Sequence, residues 1–408
     1  MAFPFNHKTL VMTNLRQLFL QNLAQTSDSP LAVEVERAEG VYMIRKDGKK
    51  VIDLISGIGV SNVGHCHPKV VKAVQKQAEQ YMHLMVYGEF VLSPQVQLAN
   101  EIAKTLPEPL KNIYLVNSGA EATEGALKLA KRYTGRSEII SAYHSYHGST
   151  HGPLSINGSE YFKRNYRPLL PDVRHIHYNR FEDLEFITSR TAAVIVETVQ
   201  GEAGVVVPEP GYLPALKQRC EEVGALLILD EVQTGFGRTG TFWGFEQFDV
   251  VPDILLTAKG MGGGMPIGAF ISSHEIMRVF QENPFLGHIT TFGGHPVSSA
   301  ASLACLKIVR KEKLYKQAKA KGELFKKYLK HPKIKEIRSL GLMMAVEFES
   351  FEVLKPIIDE AVKKGVLTDW FLYNDKSMRI APPLIISEKQ IKKACEKLLK
   401  AIDKKPKK

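Results

Sequence analysis

The chain has 408 residues, 44% hydrophobic and 24% charged, which are ordinary values for a globular protein. They exclude wholesale disorder, a collagen-like repeat and a small disulfide-stapled scaffold, and the length allows two or more structural units around a sizeable core. Lys and Arg total 54 against 43 Asp and Glu, a net +11 that raises the question of an acidic partner such as nucleic acid.

The first ten residues, MAFPFNHKTL, have no basic region followed by an apolar stretch, and no apolar run is long enough to span a bilayer. The expectation is a cytoplasmic protein with no membrane partner. Leu31–Ala38, Gly40–Arg45 and Lys49–Leu54 read as a short β-meander with a turn at Asp47-Gly48. His65-Cys66-His67 has metal-ligating side chains, but adjacent residues rarely reach one ion together and no second ligand group stands at zinc spacing. No metal is expected. Cys66, Cys220, Cys305 and Cys395 lie far apart without a CxxC pair, as free thiols in a reducing compartment would.

Short β-rich runs at Ile113–Val116, Ala193–Val196 and Leu226–Leu229 alternate with helical patterns such as Glu121–Tyr133 and Leu213–Val223. This alternation predicts an α/β fold, and near-continuous apolar strands predict a mostly parallel central sheet covered by helices. From about residue 300 the pattern becomes a helix pair, a strand around Leu342–Phe348, another helix and a short strand at Met378–Ile380. The resulting division is a large domain over 61–298, with segments 1–60 and 299–408 building a smaller α+β domain.

The positive charge is concentrated. Residues 307–336 hold twelve Lys and Arg against three acids, and residues 391–408 hold eight Lys against two, so the rest of the chain carries −4. In both segments the lysines alternate with helix-spaced apolar residues, among them Leu314, Ala318, Phe325, Leu398 and Ile402. That is the pattern of solvated helix faces. Without interleaved aromatic platforms or a known module, no nucleic-acid partner is expected.

Three features stand at strand ends, where open α/β sheets place their ligands. Asn117-Ser118-Gly119-Ala120-Glu121 follows a strand and opens a helix. It reads either as an anion cradle at a helix N-terminus or as a capping box from Ser118 to Glu121. Leu226–Leu229 runs into Asp230-Glu231, a carboxylate with dry walls that needs a cation beside it unless it only caps the next turn. The following Gly235-x-Gly237-x-x-Gly240 lacks the strand-to-helix context of a dinucleotide fingerprint and is rejected as one. Leu255-Leu256-Thr257-Ala258-Lys259 ends an apolar strand in a lysine among small residues. Such a lysine either snorkels to water or, desolvated, is suited to a Schiff base with an aldehyde. An anion cradle, a buried acid and a Schiff-base lysine together are the three handles of pyridoxal 5′-phosphate: phosphate, ring nitrogen and aldehyde.

With these motifs the sequence resembles the class III (ω-amino-acid) aminotransferases of the type I pyridoxal-phosphate fold, the group of acetylornithine, ornithine and 4-aminobutyrate aminotransferases. The resemblance runs from Gly40 to Leu384 and is most specific over Leu227–Gly268. It implies that Lys259 carries the cofactor and shuttles the substrate proton, that Asp230 pairs with the pyridinium, and that Gln233 contacts the ring hydroxyl. Ser118, Gly119 and Ala120 would hold the phosphate and Tyr146 would stack on the ring, with His147 and Glu197 also in contact with the cofactor. Thr291 would reach the phosphate of a neighbouring subunit, which implies a homodimer with shared sites.

Arg379 would grip a substrate carboxylate, and Glu202 would mask it while an ω-amine donor is bound. The implied activity is transfer of an amino group to a 2-oxo acid in a ping-pong reaction, with an aminomutase or racemase on the same scaffold as the alternative. The chain departs from the family at Ser149, which stands where many members have Arg in F-H-G-R-T; at His295 for Asn in T-F-G-G-N-P; and at Thr198 for Pro in E-P-V-Q-G. The first departure leaves pyruvate or 2-oxoglutarate open as acceptor. The S-N-L-Y-Y-like stretch of the acetylornithine subgroup is absent.

Overall fold

The computed structural model describes residues 14–404, so the ten N-terminal residues read above and Lys405, Lys407 and Lys408 lie outside it. In chain order the strands are β1 (Val35–Glu39), β2 (Tyr42–Arg45), β3 (Lys50–Asp53), β4 (Asn112–Val116), β5 (Glu138–Ala142), β6 (Val173–Ile176), β7 (Thr191–Glu197) and β8 (Leu226–Asp230). They continue as β9 (Ile254–Thr257), β10 (Gly268–Ser272), β11 (Glu336–Leu340), β12 (Met343–Glu347), β13 (Val366–Leu367), β14 (Trp370–Phe371) and β15 (Asn374–Ile380).

Seven strands form the central sheet in the order β4-β10-β9-β8-β7-β5-β6. Every residue of β5, β7, β8, β9 and β10 is buried, as expected of a sheet with helices on both faces. The pairs from β6 to β9 are parallel, whereas β10 runs antiparallel to both β9 and β4. The sheet is therefore mixed. The ten residues between β9 and β10 hold only a short 3₁₀ turn, Lys259–Gly262, which is too little for a parallel crossover. Because β4, β5, β7, β8 and β9 share one direction, Asn117, the stretch after Ala142, Glu197, Asp230 and Lys259 all emerge at one sheet edge.

Both chain ends meet in a second sheet, β1-β2-β3-β13, where Val366–Leu367 pairs in parallel with Ile52–Asp53. A third sheet, β11-β12-β15-β14, follows. β15 begins at Asn374 rather than at Met378, because the polar Asn374, Asp375 and Lys376 give no apolar signal. Arg238, 1% exposed, ties these parts together. Its guanidinium donates to the carbonyls of Leu342 and Pro382 at 3.1 and 2.5 Å and to Asn62 Oδ1 at 2.5 Å.

The two lysine-rich helices, Leu314–Tyr328 and Glu388–Ile402, bury residues at 3–4 spacing. Leu314, Ala318, Gly322 and Phe325 face inward on the first, and Ile391, Ala394, Cys395 and Leu398 on the second. Lys316, Lys319, Lys327, Lys392, Lys393 and Lys400 lie on the exposed faces. His65 and His67 have separate partners: His65 Nε2 lies 2.8 Å from Asp53 Oδ2, while His67 Nδ1 accepts from Lys69 N at a helix start. All four cysteines are free thiols, three of them buried.

Candidate active site

The two acids that end β8 point to different tasks. Glu231 is fully buried and accepts four hydrogen bonds, from the N–H groups of Gly244 and Phe245 and the hydroxyls of Thr198 and Thr234, at 2.7–2.8 Å. It is a fully satisfied brace. Asp230 instead faces a cavity of about 710 Å³ at the sheet edge. Its Oδ1 accepts from Val232 N at 2.9 Å, and its Oδ2 lies 2.8 Å from His147 Nδ1. With Nδ1–H donating to the carboxylate, His147 presents Nε2, which is buried and has no partner. A buried polar atom left unpaired is costly.

Lys259 lines the same cavity. Its backbone sits at φ 43°, a left-handed conformation that is uncommon for a side-chain-bearing residue and concentrates at functional sites. Burial pushes its ammonium below the usual lysine range, against the upward pull of Glu202 and Asp230. The lowered pKa follows from placing a lysine just beyond a buried apolar strand.

Opposite stands the helix Gly119–Thr134. Ser118 caps it by accepting from Glu121 N at 3.1 Å, but the Glu121 carboxylate turns back to Asn117 N and Nδ2 at 2.9 Å, so no reciprocal capping box forms. The first-turn N–H groups of Gly119 and Ala120 have no intrahelical acceptor and line the cavity. Gly148 lies against this turn at φ 129°, where a Cβ would stand 2.8 Å from Ala120 Cβ. Tyr146 is half-buried on the cavity wall, its hydroxyl 3.0 Å from Ser149 Oγ.

Asn157, unsuspected in the sequence, brackets this segment. Its Oδ1 accepts from His147 N and its Nδ2 donates to Gly148 O, both at 2.8 Å. Glu197, at the end of β7, accepts from Tyr146 N and Gly201 N at 3.0 and 2.7 Å. Burial first, then the charge of Asp230, pushes its carboxyl up to about 8 against those two N–H groups.

A second buried charge cluster lies behind the cavity lining. Arg379 and Glu202 form a bidentate pair, Nη1–Oε1 and Nη2–Oε2 both at 2.9 Å. Glu202 also accepts from Gln233 Nε2 at 3.1 Å and Leu372 N at 3.0 Å. Burial pushes the Glu202 carboxyl up, but the charge and hydrogen bonds of Arg379 outweigh it and hold it at about 2. Arg379 Nε donates to Asp369 Oδ1 at 3.0 Å. Desolvation raises Asp369 to about 6 despite Arg379, with Glu202 adding to the rise.

The structure thus gathers Ser118, Gly119, Ala120, Tyr146, His147, Glu197, Asp230, Gln233 and Lys259 around one cavity. It sets Arg379 and Glu202 beside it and leaves Thr291 exposed outside it. Asp369 had no distinguishing signal in the sequence, since a lone acid between Thr368 and Trp370 belongs to no motif. The gathered groups can take one ligand bearing an anion at the helix start, a protonated nitrogen at Asp230 and an electrophile at Lys259.

The chain matches known proteins over most of its length. A family model described as aminotransferase class III matches residues 23–402. The chain is 40% identical to the acetylornithine aminotransferase of Methanopyrus kandleri over 379 residues, 92% of this chain and 95% of that one. Among solved structures, a transaminase from the marine bacterium Virgibacillus superposes with a TM-score of 0.89 at 29% identity, covering 95% of this chain and 98% of that one. An ornithine aminotransferase from Toxoplasma gondii superposes with a TM-score of 0.88 at 30% identity, covering 95% and 93%. That structure is described as having PLP at partial occupancy in its active site. The chain is a member of the class III aminotransferase family, with the fold type I architecture of its transaminases.

Proposed function

We propose that this transaminase uses pyridoxal 5′-phosphate to move an amino group from an ω-amine or amino-acid donor, acetylornithine-like or ornithine-like, to a 2-oxo acid. The observation that carries this reading is the desolvated, backbone-strained Lys259 in one cavity with the Asp230–His147 pair and the free first-turn N–H groups of Gly119 and Ala120. Bound there, pyridoxal 5′-phosphate supplies an aldehyde for the amino group and a protonated pyridine ring that takes up the electrons released at the donor carbon.

The chain's residues have distinct parts in this scheme. Lys259 Nζ would hold the cofactor through its aldehyde carbon and would carry the proton at the donor carbon; burial favours the neutral amine this needs. Asp230, fixed by Val232 N and His147, holds the proton on the ring nitrogen. Gly119 N, Ala120 N and the Ser118 hydroxyl hold the phosphate. Tyr146 would cover the ring and Gln233 would contact its hydroxyl, while His147 and Glu197 support Asp230 and the Tyr146 loop.

Donor and acceptor take turns in the one cavity, a ping-pong order that the Glu202–Arg379 pair serves. Closed, it presents no free guanidinium to an amine; opened, it offers a fork that fits a carboxylate. Thr291 completes the site of a second copy, so the working unit is a homodimer. The exposed Phe285, Leu286, Ile289 and Phe292 beside Thr291 support a covered face there. Residues 61–298 form the cofactor-binding unit, and the described residues of 1–60 and 299–408 the smaller one.

Purified protein should be yellow, and borohydride should fix the cofactor to Lys259. Lys259→Ala should abolish both the trapped adduct and turnover; an adduct on another lysine would overturn the assignment. Amine-dependent bleaching reversed by pyruvate alone, or by 2-oxoglutarate alone, identifies the acceptor that Ser149 permits. No lasting bleaching with any donor, the amino group staying on the donor's own carbon skeleton, would favour an aminomutase or racemase instead.

A further inference from the structure

The arginine proposed above as the carboxylate clamp is held from two sides, and only one of them is the gate. On the gate side, Nη1 and Nη2 donate to Glu202. On the other side, Nε donates to Asp369 Oδ1 at 3.0 Å, Nη2 donates to Trp370 O at 3.2 Å, and the guanidinium carbon lies 4.6 Å from the centroid of the Phe371 ring. The backbone is fixed by the same short segment. Arg379 N donates to Asp369 O at 2.9 Å, and Arg379 O accepts from the Thr368 hydroxyl at 2.6 Å.

When Glu202 leaves, the terminal N–H groups it occupied become free as a fork, while Asp369, Trp370 O and Phe371 still fix the plane in which the fork opens. Without Asp369, departure of Glu202 would leave a guanidinium that is 4% exposed with no countercharge, and a buried charge losing its partner is expensive. The hairpin that supplies this support also touches the gate, since Leu372 N and Tyr373 N donate to Glu202 Oε2 and O at 3.0 Å.

We propose that Asp369 is a positioning residue for acceptor binding: it keeps the Arg379 guanidinium oriented and neutralised while Glu202 is away, so the open fork is ready for the carboxylate of a 2-oxo acid. The proposal rests on the reading of Arg379 as that clamp. Its specificity consequence is one-sided. The step that needs a carboxylate depends on Asp369, and the step with a carboxylate-free amine does not.

The test uses the cofactor-loaded enzyme and its Asp369→Ala, Asp369→Asn and Arg379→Ala variants. Calorimetry gives the Kd of the unreactive acids propionate and glutarate. Separate half-reactions follow a carboxylate-free primary amine, 1-aminobutane, and the 2-oxo acids pyruvate and 2-oxoglutarate. For Asp369→Ala, loss of one charge-assisted hydrogen bond should raise the Kd of the bound acid and the KM of the working 2-oxo acid about tenfold. Its kcat and the 1-aminobutane half-reaction should stay within about twofold of the parent. Asp369→Asn, which keeps an acceptor oxygen for Nε but not the countercharge, should recover only part of the affinity.

If Arg379→Ala weakens acid binding and Asp369→Ala does not, the positioning role is wrong. If Arg379→Ala itself leaves acid binding unchanged, the clamp reading fails instead. An equal loss in both half-reactions for Asp369→Ala and Asp369→Asn would mean a structural role and overturn the proposal.

Discussion

The two buried charge clusters of this chain are built on opposite terms. Around Asp230 and Lys259 the polar groups are incompletely paired: His147 Nε2 has no partner, Lys259 is pushed below its usual range, and Glu197 is pushed up to about 8. Around Arg379, Glu202 is closed by four donated hydrogen bonds and the guanidinium by two carboxylates and a carbonyl. Around the cavity, incomplete pairing leaves polar groups available to a ligand. Full pairing marks a part that must open before it can bind.

The sharpest way to break this contrast is to remove charge from the unpaired cluster. Asp230→Asn should lower kcat by about 10²–10³-fold while the fold is retained. A variant within tenfold of the parent would mean that the Asp230–His147 pair is only structural. In the closed cluster the main effect should fall on stability. Glu202→Gln breaks a buried pair, and denaturant unfolding should register a loss of about 3 kcal/mol, moderated by Asp369, with carboxylate affinity unchanged or improved.

Glu197 and Glu202, one in each cluster, should also answer pH with opposite signs. A carboxyl raised in the folded state, as Glu197 is, contributes stability that is present below pH 4.5 and lost as pH rises through about 8. Glu202, held at about 2, contributes stability above pH 4.5 that is lost as pH falls toward 2. Glu197 should therefore lower the apoprotein's stability between pH 5 and 8.5, opposed below pH 6.5 by His175 and His288, which burial holds at about 4. Glu197→Gln should change the slope by at most about 1.4 kcal/mol per pH unit. Glu231 and Asp369, raised to about 7 and about 6, keep part of the slope in the variant. Smallest of all, Lys319→Glu on the outer face of its helix should leave turnover intact and stability within about 0.5 kcal/mol. A loss of activity there would return meaning to the +11.

The parts of this protein that were legible in sequence are local. The apolar run of β8 leads into Asp230-Glu231 and that of β9 into Lys259, and a parallel sheet turns those ends to the same edge, so Asp230, Lys259 and the Ser118–Ala120 turn could be read in place. The short meander and the lysine-faced helices follow equally from periodicity. β10 could not be read that way: its reversal depends on how short the connection after Lys259 is. The start of β15 was hidden by polar residues.

Side-chain partnerships across long separations were beyond periodicity altogether. His147 meets Asp230 from 83 residues away, and Arg379 meets Glu202 from 177; their motifs suggested candidates, but only packing brings them within 3 Å. Asn157 and Asp369 carried no motif, because a polar residue beside a loop looks the same in sequence whether it faces water or a buried guanidinium. The sequence by itself determined which residues end the strands, since that is written in short-range hydrophobic patterning. Only the tertiary structure decided which buried charges are paired and which are left open, since desolvation and hydrogen-bond satisfaction depend on every segment that converges on the site.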